Sequence, residues 1–173
     1  IEPWGENSLR VRATCEAAMP ETDWALLPAP QAQTEIKIEN NSAVITNGKI
    51  TATVSRSGKI RFFNQNGKLL LEEFVRDMSQ PEFSSHMRIA AREIRGNIGG
   101  AFQAYARFES DPEEKLFGMG QYQDGIFNLK GATLELMQRN SQCTVPFVVS
   151  DKGYGMLWHN PAVGEVTFGT NMT

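Results

Sequence analysis

Apolar and polar positions alternate with a period of two wherever a period can be read along the chain, the signature of strands with one buried and one solvated face. In Thr34-Glu35-Ile36-Lys37-Ile38-Glu39 apolar residues alternate with charges, Asn40-Asn41 supplies turn-prone residues, and Ala43-Val44-Ile45-Thr46 resumes the pattern, which predicts a hairpin. After Asn47-Gly48, Ile50, Ala52 and Val54 share one face of the next strand while Thr51, Thr53 and Ser55 take the other. Ser57-Gly58 turns the chain into Lys59-Ile60-Arg61-Phe62-Phe63, and Asn66-Gly67 turns it again into Lys68-Leu69-Leu70-Leu71. An Asn-Gly dipeptide is a strong hairpin signal because tight turns between strands need positive φ at their centre. Residues 34–71 are thereby predicted to form an antiparallel meander.

From Glu72 to Asn97, Pro81, Ser84, Ser85 and scattered charges break the period, which predicts irregular chain with short edge strands. Phe102, Ala104, Ala106 and Phe108 then line one face of a strand whose other face carries Gln103, Tyr105 and Arg107. Asp111-Pro112-Glu113-Glu114 ends it, and the glycine-spaced Leu116-Phe117-Gly118-Met119-Gly120 reads as the lead into a polar loop. Strands follow at Ala132 to Met137, Thr144 to Val149 and Tyr154 to Trp158, with Asp151-Lys152-Gly153 as a turn and Val166 with Phe168 as a last edge. About ten short strands broken by Gly and Pro predict an all-β fold, an antiparallel β-sandwich. No repeat or low-complexity linker divides the chain, so residues 1–173 are expected to form one domain. The final strand stops close to Thr173, and truncation at that end is expected.

A hydrophobic content of 40% with 21% charged residues is that of an ordinary globular chain, long enough to bury roughly 70% of its unfolded surface without a disulfide or metal staple. Seventeen Lys and Arg against twenty Asp and Glu leave a net charge of -3, which argues against nucleic acid as a partner. The longest apolar run, Val145 to Val149, is interrupted by Pro146 and falls far short of a membrane span, so no membrane partner is expected. Ile1-Glu2-Pro3-Trp4 has neither an initiating Met nor a signal-peptide pattern, and a fragment of a cytoplasmic protein is expected. Cys15 and Cys143 show no metal or redox spacing and are expected to be buried or half-buried free thiols. Asn40-Asn41-Ser42 and Asn171-Met172-Thr173 match the glycosylation acceptor pattern, which carries little weight without a signal peptide.

Candidate chemistry is sparse. With two histidines, His86 and His159, a three-histidine metal site is excluded, and each reads as an ordinary surface or core residue. Ser57-Gly58 and Ser150-Asp151 lack the frame of a nucleophile elbow and read as turns. Gly96-Asn97-Ile98-Gly99-Gly100 precedes a strand and lacks a phosphate-loop lysine, so it reads as a flexible turn, and no cofactor is expected. Carboxylates are plentiful, but nothing in their spacing fixes the separation of roughly 5 to 9 Å that a glycosidase pair needs. Aromatics and amides do gather: Phe117, Tyr122, Phe127 and Trp158 interleave with Gln121, Gln123, Asp124, Asn128, Gln138, Arg139 and Asn140. Rings stack on sugar C–H faces and planar amides bond hydroxyls, which suits a carbohydrate; the rings equally suit a core and the amides a loop surface.

Several segments carry a family resemblance by their order and spacing. Glu114-Lys115-Leu116-Phe117-Gly118-Met119-Gly120-Gln121, Gln123-Asp124-Gly125, Asn128-Leu129-Lys130-Gly131, Gln138-Arg139-Asn140, Val145-Pro146-Phe147-Val148-Val149-Ser150 and Lys152-Gly153-Tyr154-Gly155-Met156-Leu157-Trp158-His159-Asn160-Pro161 together resemble the N-terminal domain of glycoside hydrolase family 31, the α-glucosidases, α-xylosidases and relatives. Pro3-Trp4-Gly5-Glu6-Asn7-Ser8-Leu9-Arg10-Val11-Arg12 resembles that domain's opening strand, so the likeness spans nearly the whole chain. It implies a galactose-mutarotase-like supersandwich. It also implies retaining chemistry in a separate (β/α)8 barrel C-terminal to this domain, with an Asp nucleophile in a Trp-x-Asp-Met type segment. The three tryptophans here read Trp4-Gly5-Glu6, Trp24-Ala25-Leu26 and Trp158-His159-Asn160, so the segment and the barrel of about 250 residues are absent and no catalytic residue is expected in this chain.

The resemblance further implies that a loop of this domain, here Gln138 to Thr144, helps shape the sugar pocket. In α-glucosidase members an Arg-Asp pair occupies it; this chain has Arg139-Asn140, the expected substrate-binding residues, with an amide in place of the carboxylate. Gln121 to Gly125 is more similar to the α-xylosidase branch. The expected partners are thus an α-glucoside or α-xyloside and the catalytic barrel of the same polypeptide, and an apolar docking patch left bare in the isolated segment would leave homo-oligomer formation open. A competing expectation is a stand-alone sugar-binding sandwich using Tyr122, Phe127 and Trp158. A mutarotase-like enzyme is a poor third, since it needs an acid-base pair that two isolated histidines do not supply.

Overall fold

The alternating segments fold as strands, and every ladder is antiparallel. The computed structural model describes residues 1–21, 23, 25–76 and 89–169; His86, Trp24, Pro81, Ser84, Ser85 and the Asn171-Met172-Thr173 motif lie outside the described residues. In chain order the strands are β1 (Glu2–Pro3), β2 (Leu9–Arg10), β3 (Thr34–Glu39), β4 (Ser42–Asn47), β5 (Ile50–Ser55), β6 (Ile60–Asn64), β7 (Leu69–Glu72), β8 (Arg92–Gly96), β9 (Phe102–Ala106), β10 (Leu116–Gln121), β11 (Thr133–Leu136), β12 (Cys143–Ser150), β13 (Tyr154–Leu157) and β14 (Gly164–Thr167). Among the described residues there is no helix, and so none long and apolar enough to cross a membrane. The chain divides into two compact units, Ile1–Glu109 and Ser110–Thr173.

The first unit holds the predicted meander as a five-stranded sheet, β3-β4-β5-β6-β7. Its register pairs Ile45 with Ala52, Ala52 with Phe62, and Val54 with Ile60, so these residues share one face. Ile45, Ala52 and Ile60 are buried there, with Leu9, Val54 and Phe62 packed around them. Each large apolar side chain fully buried in this way contributes roughly 1.5–3 kcal/mol. Asn47, 2% exposed, does more than turn the chain: its amide donates to the carbonyls of Gly5 and Ser8 at 2.7 Å each, fastening the β1–β2 turn to the meander. Reciprocally, the Lys49 amide donates to Asn7 Oδ1 at 2.7 Å.

The β8–β9 hairpin corrects one expectation. The strand over Phe102 to Ala106 forms, but Phe102 and Ala104 are exposed; the pair is a two-stranded ribbon to which no further strand is added among the described residues. Only its base, at Ala91, is buried. Beside that base, Glu72 is held below the usual carboxylate range by Lys59 at 2.5 Å and Arg61 at 2.8 Å. Glu73 is buried and accepts from the Ile60 amide at 2.8 Å; burial pushes its carboxyl up despite Arg92 at 2.9 Å.

In the second unit, the sheet β10-β12-β13 and the ladder β11-β14 meet over Leu116, Met119, Leu129, Leu134, Leu136 and Val148, with Tyr122, Met156, Trp158, Val166 and Phe168 packed against them. Here Leu116–Gln121 is a strand, where the sequence predicts a lead into a loop. Alternation fails because Gly118, Met119 and Gly120 all take positive φ (103°, 69° and 100°) around a bulge, which sends Leu116 and Met119 to the same side. A Cβ on Gly120 would stand 2.1 Å from the Cys143 carbonyl oxygen, and one on Gly118 2.7 Å from that of Phe147. Both cysteines are free and exposed rather than buried or half-buried: Cys143 alternates with the buried Thr144 on β12, and Cys15 lies in irregular chain.

Glu114 is buried at the end of this sheet, accepting from the Ser150 hydroxyl and from the Tyr154 hydroxyl at 2.8 Å, with Lys152 at 3.5 Å. Burial, and then the adjoining Glu114 carboxylate, push the Tyr154 phenol up.

Gly120→Ala should cost about 3 kcal/mol or more, since strain and a backbone clash coincide. Gly67→Ala, with positive φ but open space around it, should cost only about 1–2 kcal/mol; urea midpoints of the two variants check the contrast. For Glu73, whose folded pKa lies above its unfolded value, the stabilising contribution is full below the unfolded pKa and lost as pH rises through the folded one. Relative to the wild type, Glu73→Gln should therefore gain stability as pH rises from about 4 to about 7. Urea unfolding across that window reads the sign, and a gap moving the other way would show the Arg92 pair outweighing burial.

Candidate functional site

The chain between β11 and β12 forms a tight turn. Arg139 and Gln142 make a single antiparallel bridge, with the Gln142 amide 3.3 Å from the Arg139 carbonyl, so Asn140 and Ser141 form the tip. Ser141 takes φ of 76°, which closes the turn. Below the tip, Gln138 donates through Nε2 to the Thr144 carbonyl at 2.7 Å, and its Oε1 accepts from the Thr144 amide at 3.1 Å. The Tyr122 hydroxyl lies 3.0 Å from both the Glu135 carbonyl and Thr144 Oγ1, which itself lies 2.8 Å from the Met137 carbonyl. Two hydroxyl protons satisfy two of these three contacts at a time.

The two expected substrate residues are in different situations. Arg139 is tied to Glu135, with Nη2 2.7 Å from the carboxylate, and this partner raises the guanidinium pKa further. Asn140 is exposed at the tip, and its amide has no hydrogen bond to the described residues. One arm of the pair is thus anchored while the other is free to donate and accept.

The remaining aromatics and amides do not converge on a stacking platform. Tyr122 and Trp158 pack on the core, and Asn128 Oδ1 accepts from the Leu116 and Lys130 amides at 3.1 and 3.3 Å. Of these four rings Phe127 alone is largely exposed, at 82%, and packs on Phe117 in a tilted arrangement with centroids 4.9 Å apart. A shallow concavity of about 180 Å³ opens beside Gly118, Gln121, Tyr122, Asp124 and Leu134. His159 is exposed, and among the described residues no group of three or more His, Cys, Asp or Glu could hold a metal. Reading the sequence missed Thr144 and Glu135, since nothing in a Thr six residues after a Gln, or in a Glu four before an Arg, separates these from surface residues.

An all-β chain of antiparallel ladders, with an amide-tipped turn tied back to the neighbouring strands, is of the class of β-sandwich domains. The sequence profile of the glycosyl hydrolase 31 N-terminal galactose mutarotase-like domain matches residues 1–166. The chain belongs to that family, and its fold is that domain's β-sandwich. It is 45% identical, over 99% of its length, to an uncharacterized family 31 glucosidase, ORF2, of Pseudescherichia vulneris, of which it covers 34%. It is also similar to the crystal structure of a family 31 α-xylosidase from a soil metagenome complexed with xylose, with 51% identity and a TM-score of 0.88, covering 96% of this chain and 26% of that one. Alpha-xylosidase A of Aspergillus niger is 37% identical over 43% of the chain and 10% of its own length. The chain thus spans about a third or less of the length of these relatives.

Tyr122→Phe removes the contacts to Glu135 and Thr144 and should cost about 1–2 kcal/mol. Faster amide exchange at residues 139 to 143, measured by mass spectrometry, should accompany it; unchanged exchange would mean that the turn stands without the phenol.

Proposed function

We propose that the chain serves as the non-catalytic N-terminal β-sandwich of a retaining α-glycosidase that cleaves α-xylosidic bonds, packed on a catalytic barrel of the same polypeptide. The observation that carries this reading is the 51% identity, with near-coincident backbone, to an α-xylosidase structure described with xylose. The 45% identity to a protein described as a glucosidase favours α-glucosidic bonds as the second reading. Hydrolysis would pass through a glycosyl-enzyme intermediate on two carboxylates supplied by the barrel. Arg139 and Asn140 would line the sugar pocket, with the Asn140 amide donating to or accepting from a hydroxyl. Such a neutral bond is roughly half as strong as one to a carboxylate.

A docking face supports the same partner. Val145, Phe147 and Val149 alternate outward along β12, and Leu157 pairs with Phe147 from β13; all four are partly exposed. The barrel is the occupant proposed for this apolar face, in keeping with the two thirds or more of each relative's length that lies outside the match.

The native polypeptide, detected with an antibody to this segment, should be long enough to hold about 250 further residues. That polypeptide should hydrolyse p-nitrophenyl α-xyloside faster than the α-glucoside, while the 173-residue segment hydrolyses neither. A native species of the segment's own size would overturn the reading, and a preference for the glucoside would promote the second one.

A further inference from the structure

We propose that Gln138 is a positioning residue for the sugar-facing turn, acting with Thr144 to hold Asn140 in place; this rests on the assignment of that turn to the sugar pocket. Between the end of β11 and the start of β12 the backbone supplies one bridge, Arg139 to Gln142, whose N–H···O distance of 3.3 Å is long. A turn held by that bond alone would fray. The planar Gln138 amide meets both the N–H and the C=O of Thr144, so it substitutes for the ladder pair that the backbone omits at this level.

The anchoring is specific in its layout. Gln138 is tied to Thr144, Arg139 to Glu135 and Thr144 to Met137, while the Asn140 amide, one residue beyond Arg139, bonds to none of the described residues. A short neutral side chain reaches a hydroxyl only if its Cα is already in place, and fixing the turn beforehand removes an ordering cost from binding. A contact to a non-reacting hydroxyl is made in ground state and transition state alike, so losing it raises KM and leaves kcat nearly unchanged.

The test is a double-mutant cycle in the full hydrolase polypeptide with p-nitrophenyl α-xyloside, or the α-glucoside if that is the better substrate. Asn140→Ala should raise KM about fivefold to tenfold, and Gln138→Ala should raise it by a similar factor with kcat within about twofold. The double variant should be no worse than Asn140→Ala alone, because Gln138 acts through Asn140. If Gln138→Ala does not fold, Gln138→Met, which keeps the stem and loses the amide, carries the same test. Additive effects, or wild-type KM in the Gln138 variants beside a raised KM for Asn140→Ala, would overturn the inference and leave the proposed function standing. A silent Asn140→Ala would instead remove the turn from the sugar pocket.

Discussion

The close approach of β10 to β12 at Gly118, Met119 and Gly120 is the constraint on which the second unit depends. Two carbonyl oxygens of β12 occupy the space that side chains at Gly118 and Gly120 would need. Glycine at both positions lets the backbones touch, and the positive φ at Met119 between them turns its side chain into the core. The register records the consequence: Gly118 pairs with Val148 and Gly120 with Thr144, so β12 takes four residue steps where β10 takes two. Pro146 sits in that excess length, where a missing N–H costs no ladder bond, while its carbonyl still accepts from the Trp158 amide at 2.8 Å. The same bulge sets where Thr144 falls, and Thr144 anchors the turn that carries Asn140.

Charge is handled differently in the interior and on the surface. Glu114 and Glu73 are buried, and each is met by hydrogen-bond donors and a cation: Ser150, Tyr154 and Lys152 for the former, the Ile60 amide and Arg92 for the latter. Leaving such a carboxylate without partners would cost far more than the pairs return, so these groups specify the arrangement more than they stabilise it. The half-exposed Arg139–Glu135 pair lies at the other extreme. It adds little to folding free energy, since exposed pairs contribute about 0–1 kcal/mol. Its effect is geometric, in that it keeps the guanidinium directed back toward β11.

The meander was legible in the sequence almost to the residue. Alternation or short apolar runs mark the strands from Thr34 to Glu72, and Asn-Asn, Asn-Gly and Ser-Gly pairs mark the turns, because both signals come from local backbone and solvent requirements. β10 was not legible, since a bulge breaks the period that identifies strands and glycines there resemble loop residues. The exposed Phe102 was misjudged for a related reason: alternation shows that a strand has two faces, but not whether anything covers the apolar one. At the candidate site, Arg139 and Asn140 stood out through resemblance. Gln138 and Tyr122 stood among the gathered amides and aromatics, but their pairing with Thr144 and Glu135 was not legible, because these side chains meet only after two ladders are folded together.

An amide at the tip of the turn has a physical logic of its own. A carboxylate there would bond a hydroxyl more strongly, but a closing pocket would have to strip its hydration, and moving an ion out of water costs more than moving an amide. Asn140 avoids that penalty, and it both donates and accepts where a carboxylate only accepts. The weaker bond shifts the burden from charge to placement, because a neutral hydrogen bond weakens steeply once distance and angle depart from the optimum. In the proposed pocket, recognition through this position thus depends on how rigidly the turn is held. The bidentate Gln138–Thr144 pair provides that rigidity where the backbone ladder has given out.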